Sequence, residues 1–311
     1  MNLTPSNNKN LFGYNDFFLN LKNLHDKSLL PSKIIFSGAN GIGKSTFAYH
    51  LINYIFSKND ENKYDFKKNI ILENNHSYKL LKKNCHPNFF LITNDEEKSN
   101  SQISKVREMI NFANKSSFNN DFKIILIDNI EFLNINAINA LLKIIEEPNN
   151  KLYFFLIHNS NDNILDTLKS RCIEFKMFLQ NEEKFKIIDN LLNNDFYSNL
   201  NDDFKSIYNV PGEIIKLHNF FKEQGIDEQI TIDQFLKLII DKSLFKKNLY
   251  IKLNLSYFFE IYFKKKFYYF KSKDKIYYLY KYFLSKINSC NKYNLDIESI
   301  LIEFNGKILN G

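Results

Sequence analysis

Ser32 to Phe56 reads SKIIFSGANGIGKSTFAYHLINYIF, and three kinds of local chemistry meet in it. The run SKIIFS is short and apolar, as a buried strand is. Gly38, Gly41 and Gly43 then fall within six residues, in a chain that has only 8 glycines. Such density signals backbone demands that other residues meet poorly. From Lys44 onward, KSTFAYHLINYIF carries apolar residues at helical spacing. The order is strand, glycine loop, helix.

Gly38 to Ser45 fits the pattern G-x-x-x-x-G-K-[ST]. Glycines let the backbone N–H groups turn inward around phosphate oxygens, and the following helix directs its positive end at them. Lys44 is expected to reach the β- and γ-phosphates and the Ser45 hydroxyl to ligate Mg²⁺. The expected nucleotide-binding set is Gly38, Asn40, Gly41, Gly43, Lys44, Ser45 and Thr46, with ATP and Mg²⁺ as the ligands.

A second requirement is a carboxylate on a neighbouring strand to hold the metal. FKIILIDNIEF is the strongest strand signal in the chain, and it offers Asp128 after a continuous apolar run. Many P-loop ATPases place a glutamate next, to polarise the attacking water. Asn129 occupies that position and cannot act as a base. Along a continuing strand, Glu131 would share the orientation of Asn129. His158, Asn159 and Ser160 end another apolar run.

Strand patterns (HPNFFLITN, KLYFFLIHN and the end of NILDTLKSRCIEF) alternate with helical ones (SQISKVREMINFANKS and NAINALLKIIEEP, stopped at Pro148). That alternation predicts a parallel α/β sheet. SKNDENKYDFKKN reads as a polar loop. From about Gln180 only helical patterns remain, which gives three expected domains: 1–178, 179–224 and 225–311.

Composition bounds the partners less tightly. A net charge of +7 with a pI near 8.9 permits a polyanion. Lys, Asn, Ile, Phe and Tyr are abundant together, however, as in proteins of AT-rich genomes. The mean hydropathy of -0.36 and the interrupted apolar runs argue against a membrane span. MNLTPSNNKN lacks the apolar core of a signal peptide, so a cytoplasmic location is expected. Cys85, Cys172 and Cys290 are far apart without a C-x-x-C pair, which predicts neither a disulfide framework nor a zinc site.

Several segments together resemble the clamp-loader branch of the AAA+ ATPases, and within it the delta-prime subunits of bacterial DNA polymerase III. They are LLPSKIIFSGANGIGKSTFAYHL, HPNFFLI, ISKVREMI, IILIDNIEFLNINAINALLKIIEEP and ILDTLKSRC, spanning roughly residues 29 to 175. NVPGEIIKL and YNLDIE are weaker matches. The resemblance implies a RecA-like AAA+ nucleotide domain over 1–178, a helical lid over 179–224 and a helical oligomerisation collar over 225–311. It also implies partners: gamma- or tau-like ATPase subunits, a delta-like subunit and, through the complex, a sliding clamp and primed DNA.

The resemblance gives a role to Arg171. Only two of the 42 Lys and Arg residues are arginine, Arg107 and Arg171. In the family, the element matched by Ser170-Arg171-Cys172 supplies an arginine finger to the ATP site of an adjacent subunit. A guanidinium makes two parallel hydrogen bonds to phosphate oxygens, whereas lysine offers a point charge. The alternative is a structural ion pair within the chain. Arg107 has three open readings: a DNA phosphate, a neighbouring subunit or an acidic residue of its own chain.

This chain departs from the family's hydrolytic members at two positions. Asn129 replaces the glutamate, and the lid run VPGEIIKL has Glu213 at or near the position of a sensor arginine. The resemblance also implies a polar sensor residue that contacts nucleotide where His158, Asn159 and Ser160 end their strand, and Asn159 is the choice among them. The expected function is a subunit that binds ATP and donates a finger. The competing reading is an independently active P-loop phosphoryl-transfer enzyme, an ATPase or a small-molecule kinase. Kinases of that kind neutralise phosphates with several arginines, and this chain has two. In the C-terminal run YFFEIYFKKKFYYFKSKDKIYYLYKYF, helical spacing assigns most aromatics to a core, with base stacking between lysines as the other reading.

Overall fold

The computed structural model describes residues 4–93, 99–146, 151–192, 196–205, 210–269, 273–293 and 295–309. The chain divides into two compact units, Met1–Ile187 and Ile188–Gly311.

In the first unit the elements run α1 (Asn15–Asp26), β1 (Lys33–Gly38), α2 (Lys44–Phe56), α3 (His76–Lys82), β2 (Phe89–Thr93), α4 (Ser99–Asn114), β3 (Lys123–Asp128), α5 (Ile135–Glu146), β4 (Leu152–Asn159), α6 (Asp166–Lys169) and β5 (Ile173–Lys176). The five strands form one sheet in the order β2-β3-β4-β1-β5, and every pairing is parallel. Parallel strands need crossovers, and the crossover helices cover both faces. That is why Ile34, Ile35 and Phe36 are all fully buried. Ile35, Ile125, Ile127 and Leu156 pack on one face with Val106 and Met109 of α4 and Leu141 of α5. On the other face Phe36 meets Phe17, Phe47 and Phe155 edge-on, and Phe17 stacks on Phe47 at 4.9 Å.

All five strand expectations are met, with one change of length. The run FKIILIDNIEF does not continue as a strand to Phe132: β3 ends at Asp128. Asn129 then turns left-handed (φ 57°) and a 3-10 turn covers Ile130–Phe132. Asparagine tolerates that conformation better than other non-glycine residues. The expected stop at Pro148 lies outside the described residues; α5 is described to Glu146.

The second unit is helical. It follows α7 (Asn181–Leu192), which spans the division between the units. Its further helices are α8 (Phe196–Asn199), α9 (Asp202–Lys205), α10 (Pro211–Gln224), α11 (Ile232–Asp241), α12 (Leu244–Lys247), α13 (Leu249–Tyr269), α14 (Lys273–Tyr293) and α15 (Glu298–Phe304). One core runs through it, from Phe196, Phe204 and Phe221 to Phe235, Phe258 and Phe304. Many C-terminal aromatics belong to that core, Phe259, Tyr262, Phe263 and Phe283 among them. Tyr268, Tyr269, Tyr277 and Tyr278 do not; each is more than half exposed. Among the described residues no helix is long and apolar enough to cross a membrane.

Candidate functional site

The glycine loop leaves β1 at Gly38 and enters α2 at Lys44. Gly38 is set by close approach: a Cβ there would lie 2.5 Å from the Met177 carbonyl oxygen and 2.6 Å from Ile42 Cδ1. Gly43 is set by conformation, with φ at 95°. The loop is braced from outside by Tyr14, whose hydroxyl donates to the Ile42 carbonyl at 3.0 Å while its ring meets Phe47 edge-on. Burial raises the Tyr14 phenol above its ordinary range, so it remains a donor.

Lys44 is buried, and its ammonium donates to the carbonyls of Gly38 (2.9 Å) and Ala39 (2.7 Å). Burial lowers its pKa to about 8, opposed by the nearby charges of Glu131 and Asp128. Ser45 Oγ donates to Asp128 Oδ1 at 2.9 Å across 83 residues of sequence. Burial raises the Asp128 carboxyl, and the Ser45 hydrogen bond and Lys44 act against that rise. A hydroxyl and a carboxylate in contact are hard oxygen donors. They suit Mg²⁺, which takes one or two protein oxygens with phosphates and water completing its shell. The residues present therefore fit Mg²⁺ with a nucleotide phosphate. Among the described residues, no three His, Cys, Asp or Glu side chains gather to hold a metal by themselves.

The turn after β3 carries Glu131 back to the C-terminal end of β4, the central strand. Its carboxylate is almost fully buried, lies 3.3 Å from His158 Nδ1 and accepts the Asn159 backbone N–H at 3.3 Å. Glu131 thus sits at the end of β4, close enough to Lys44 and Asp128 to act on both electrostatically. The orientation shared with Asn129 that a continuing strand would impose does not occur. Neither Tyr14 nor the Glu131–His158 pair could be found by motif, since both depend on turns that no spacing encodes.

Asn159 lies opposite Gly38 in the β1–β4 register, at the strand end nearest the loop. Its side chain is engaged locally: Nδ2 donates to Asp162 at 2.6 Å and Oδ1 accepts the Asn161 N–H at 3.3 Å. Asn40 is exposed on the loop, and Thr46 is half-buried in the first turn of α2.

Arg171 stands elsewhere. It follows α6 and precedes β5, with the guanidinium 2.7 Å from Glu146 at the end of α5. Nη1 also donates to the Thr167 carbonyl at 2.9 Å. The pair is open to solvent, with the two side chains 38% and 49% exposed. Arg107 is exposed on α4 and pairs with no acidic side chain among the described residues. Glu213 in α10 pairs with Lys216 at 2.9 Å.

The family model described as DNA polymerase III, delta subunit, matches residues 14–181, more than half of the chain. A DNA polymerase III subunit delta' from Buchnera aphidicola subsp. Schizaphis graminum is 32% identical over 175 residues, 56% of this chain and 52% of that protein. The Pseudomonas aeruginosa protein of the same description is 33% identical over 95 residues, 30% of this chain and 29% of the relative. The chain thus matches about half or less of the length of these relatives. In fold, a DNA polymerase III gamma subunit-related protein from Thermotoga maritima superposes with a TM-score of 0.52 at 15% identity, over 92% of this chain and 96% of that one. The chain belongs to the DNA polymerase III delta subunit family, a clamp-loader branch of the AAA+ proteins.

Proposed function

We propose that this protein is a delta-prime-like subunit of a DNA polymerase III clamp loader, which binds ATP with Mg²⁺ and lends Arg171 to the ATP site of a neighbouring ATPase subunit. Its partners on this reading are gamma- or tau-like and delta-like subunits. Sliding clamp and primed DNA are engaged through the assembly, in the cytoplasm. The lid (179–224) and collar (225–311) are functional divisions within the helical part.

The observation that carries the reading is a register. Ile34 of β1 pairs with Ile173 of β5, whereas the phosphate loop leaves β1 at Gly38. Arg171 precedes Ile173 by two residues, so it lies at the opposite end of the strands from its own loop. Four strand residues alone separate the two levels by about 13 Å. A phosphate within reach of Arg171 is therefore better sought on another chain.

ATP and Mg²⁺ would supply the phosphoryl group and the divalent charge. Backbone N–H groups from Gly38 to Lys44 would cradle the phosphates with Asn40 and Thr46 beside them, while Lys44 neutralises the β- and γ-oxygens. Ser45 and Asp128 would hold the metal. Asn159 would contact the γ-phosphate end after exchanging its hydrogen bond to Asp162.

One observation favours the second reading, an enzyme active by itself: Glu131 is a buried carboxylate beside Lys44. ATP binding and single-turnover hydrolysis, followed in one sample of the full chain, separate the two. Binding without phosphate release supports the finger-donating subunit. Release that disappears in Glu131→Gln supports the independent enzyme.

A further inference from the structure

The second unit contains a cavity of about 320 Å³ between the end of α13 and the start of α14. That is near the lower end of ligand-pocket volumes, roughly 300–1,000 Å³. Phe267, Tyr268, Tyr277 and Tyr280 wall it, with Glu260 and Lys264 also in the lining. Tyr268 and Tyr277 are 75% and 52% exposed, so their rings are not consumed by core packing. Burial raises the Glu260 carboxyl, and no ion pair among the described residues holds it.

Lys264 is in the lining, and two further lysines lie over rings that wall the cavity. Lys273 Nζ stands 5.3 Å from the Phe267 ring and Lys281 Nζ 4.6 Å from the Tyr277 ring. With Lys264 they make three ammonium groups, none ion-paired among the described residues, while Glu260 is the carboxylate in the lining and Asp274 follows Lys273 in the first turn of α14. By contrast, Lys265 and Lys266 nearby are tied to Asp203 and Asp233.

This arrangement selects its occupant. A cationic ligand would be repelled by three lysines, two of which already face the rings. An acidic aromatic peptide could use the lysines and the rings but carries no ring amine to donate to Glu260. A flat ring on an anionic tether, with an amine for Glu260, satisfies every feature. We propose that the cavity takes one unstacked base of single-stranded nucleic acid. The aromatic walls stack on the base, Glu260 accepts from an exocyclic amine such as cytosine N4, and Lys264, Lys273 and Lys281 face the flanking phosphates.

The test is fluorescence anisotropy of labelled (dC)12 and (dT)12 with the full chain at low salt. It is run without nucleotide, so the result is independent of the phosphate-loop reading. Cytosine offers the amine and thymine does not, so (dC)12 binds more tightly by about fivefold or more. Tyr277→Ala weakens (dC)12 binding by a similar factor, and Tyr268→Ala, at a more exposed position, serves as the second stacking variant. Glu260→Gln removes the preference, because an amide both accepts from cytosine and donates to thymine. Lys281→Ala lowers the slope of log affinity against log salt by about 0.7. Equal binding of the two oligonucleotides by the parent protein would overturn the proposal. So would (dC)12 affinity unmoved by folded Tyr277→Ala and Tyr268→Ala, or an acidic aromatic peptide binding at the cavity where neither oligonucleotide does.

Discussion

At the scale of single residues, Lys44 and Gly38 carry the sharpest consequences. Two carbonyls hold the Lys44 ammonium inside the loop, and a phosphate would have to compete with them. Each hydrogen bond from a charged group contributes on the order of 1.5–3 kcal/mol. Lys44→Ala should therefore lower the affinity of the isolated chain for Mg·ATP by at least roughly tenfold, read by calorimetry, with the far-ultraviolet dichroism unchanged. Gly38→Ala acts through packing: the new methyl group would meet the Met177 carbonyl, which is backbone and yields little. A destabilisation of about 1–3 kcal/mol is expected from denaturant unfolding. Gly38, Lys44, Ser45 and Asp128 were legible because a phosphate cradle demands those residue types at that spacing. The contacts of Arg171 were not, since Glu146 lies 25 residues away and only the fold brings them together.

At the scale of elements, continuous apolar runs identified the strands, while their ends escaped. FKIILIDNIEF has no glycine or proline to mark a stop, yet the left-handed Asn129 ends β3 and redirects Glu131 toward His158. Helix α1 escaped as well, because it begins after a left-handed Tyr14 without a Ser, Thr, Asp or Asn cap. In the second unit a charge cluster ties α14 to α15. Glu303 accepts from Lys286, Lys307 and Tyr282, each at 2.7 Å, and these bonds lower its pKa to about 2. A carboxylate with a depressed folded-state pKa stabilises fully above its unfolded value and loses that contribution as pH falls through the folded one. Glu303→Gln should therefore lower the melting temperature at pH 7, and the difference from the parent should shrink between about pH 4.5 and pH 2. A difference that stays constant over that range would assign the effect to packing rather than charge.

At the scale of the whole molecule, the net charge of +7 decides little until its lysines are located. Many are tied in surface pairs, such as Lys246 with Glu298 and Lys286 with Glu303. Those around the aromatic cavity are not, which is why the C-terminal run reads differently in three dimensions than as a helical pattern. Periodicity could assign Phe258 and Phe283 to the core, but not tell which tyrosines a neighbouring helix leaves uncovered. The central claim also belongs to this scale: Arg171 is positioned at the far end of the strands from its own phosphate loop, and on the proposed function its chemistry would be completed only in an assembly. The direct test is steady-state ATPase activity of the complex reconstituted with gamma- or tau-like and delta-like subunits, comparing parent chain, Arg171→Ala and Arg171→Lys. The account predicts that both variants assemble and bind ATP as the parent does, yet lower the ATPase activity of the complex, with lysine failing to restore it. Unchanged activity in a fully assembled Arg171→Ala complex would contradict it, and would leave the Glu146 pair as a structural contact alone.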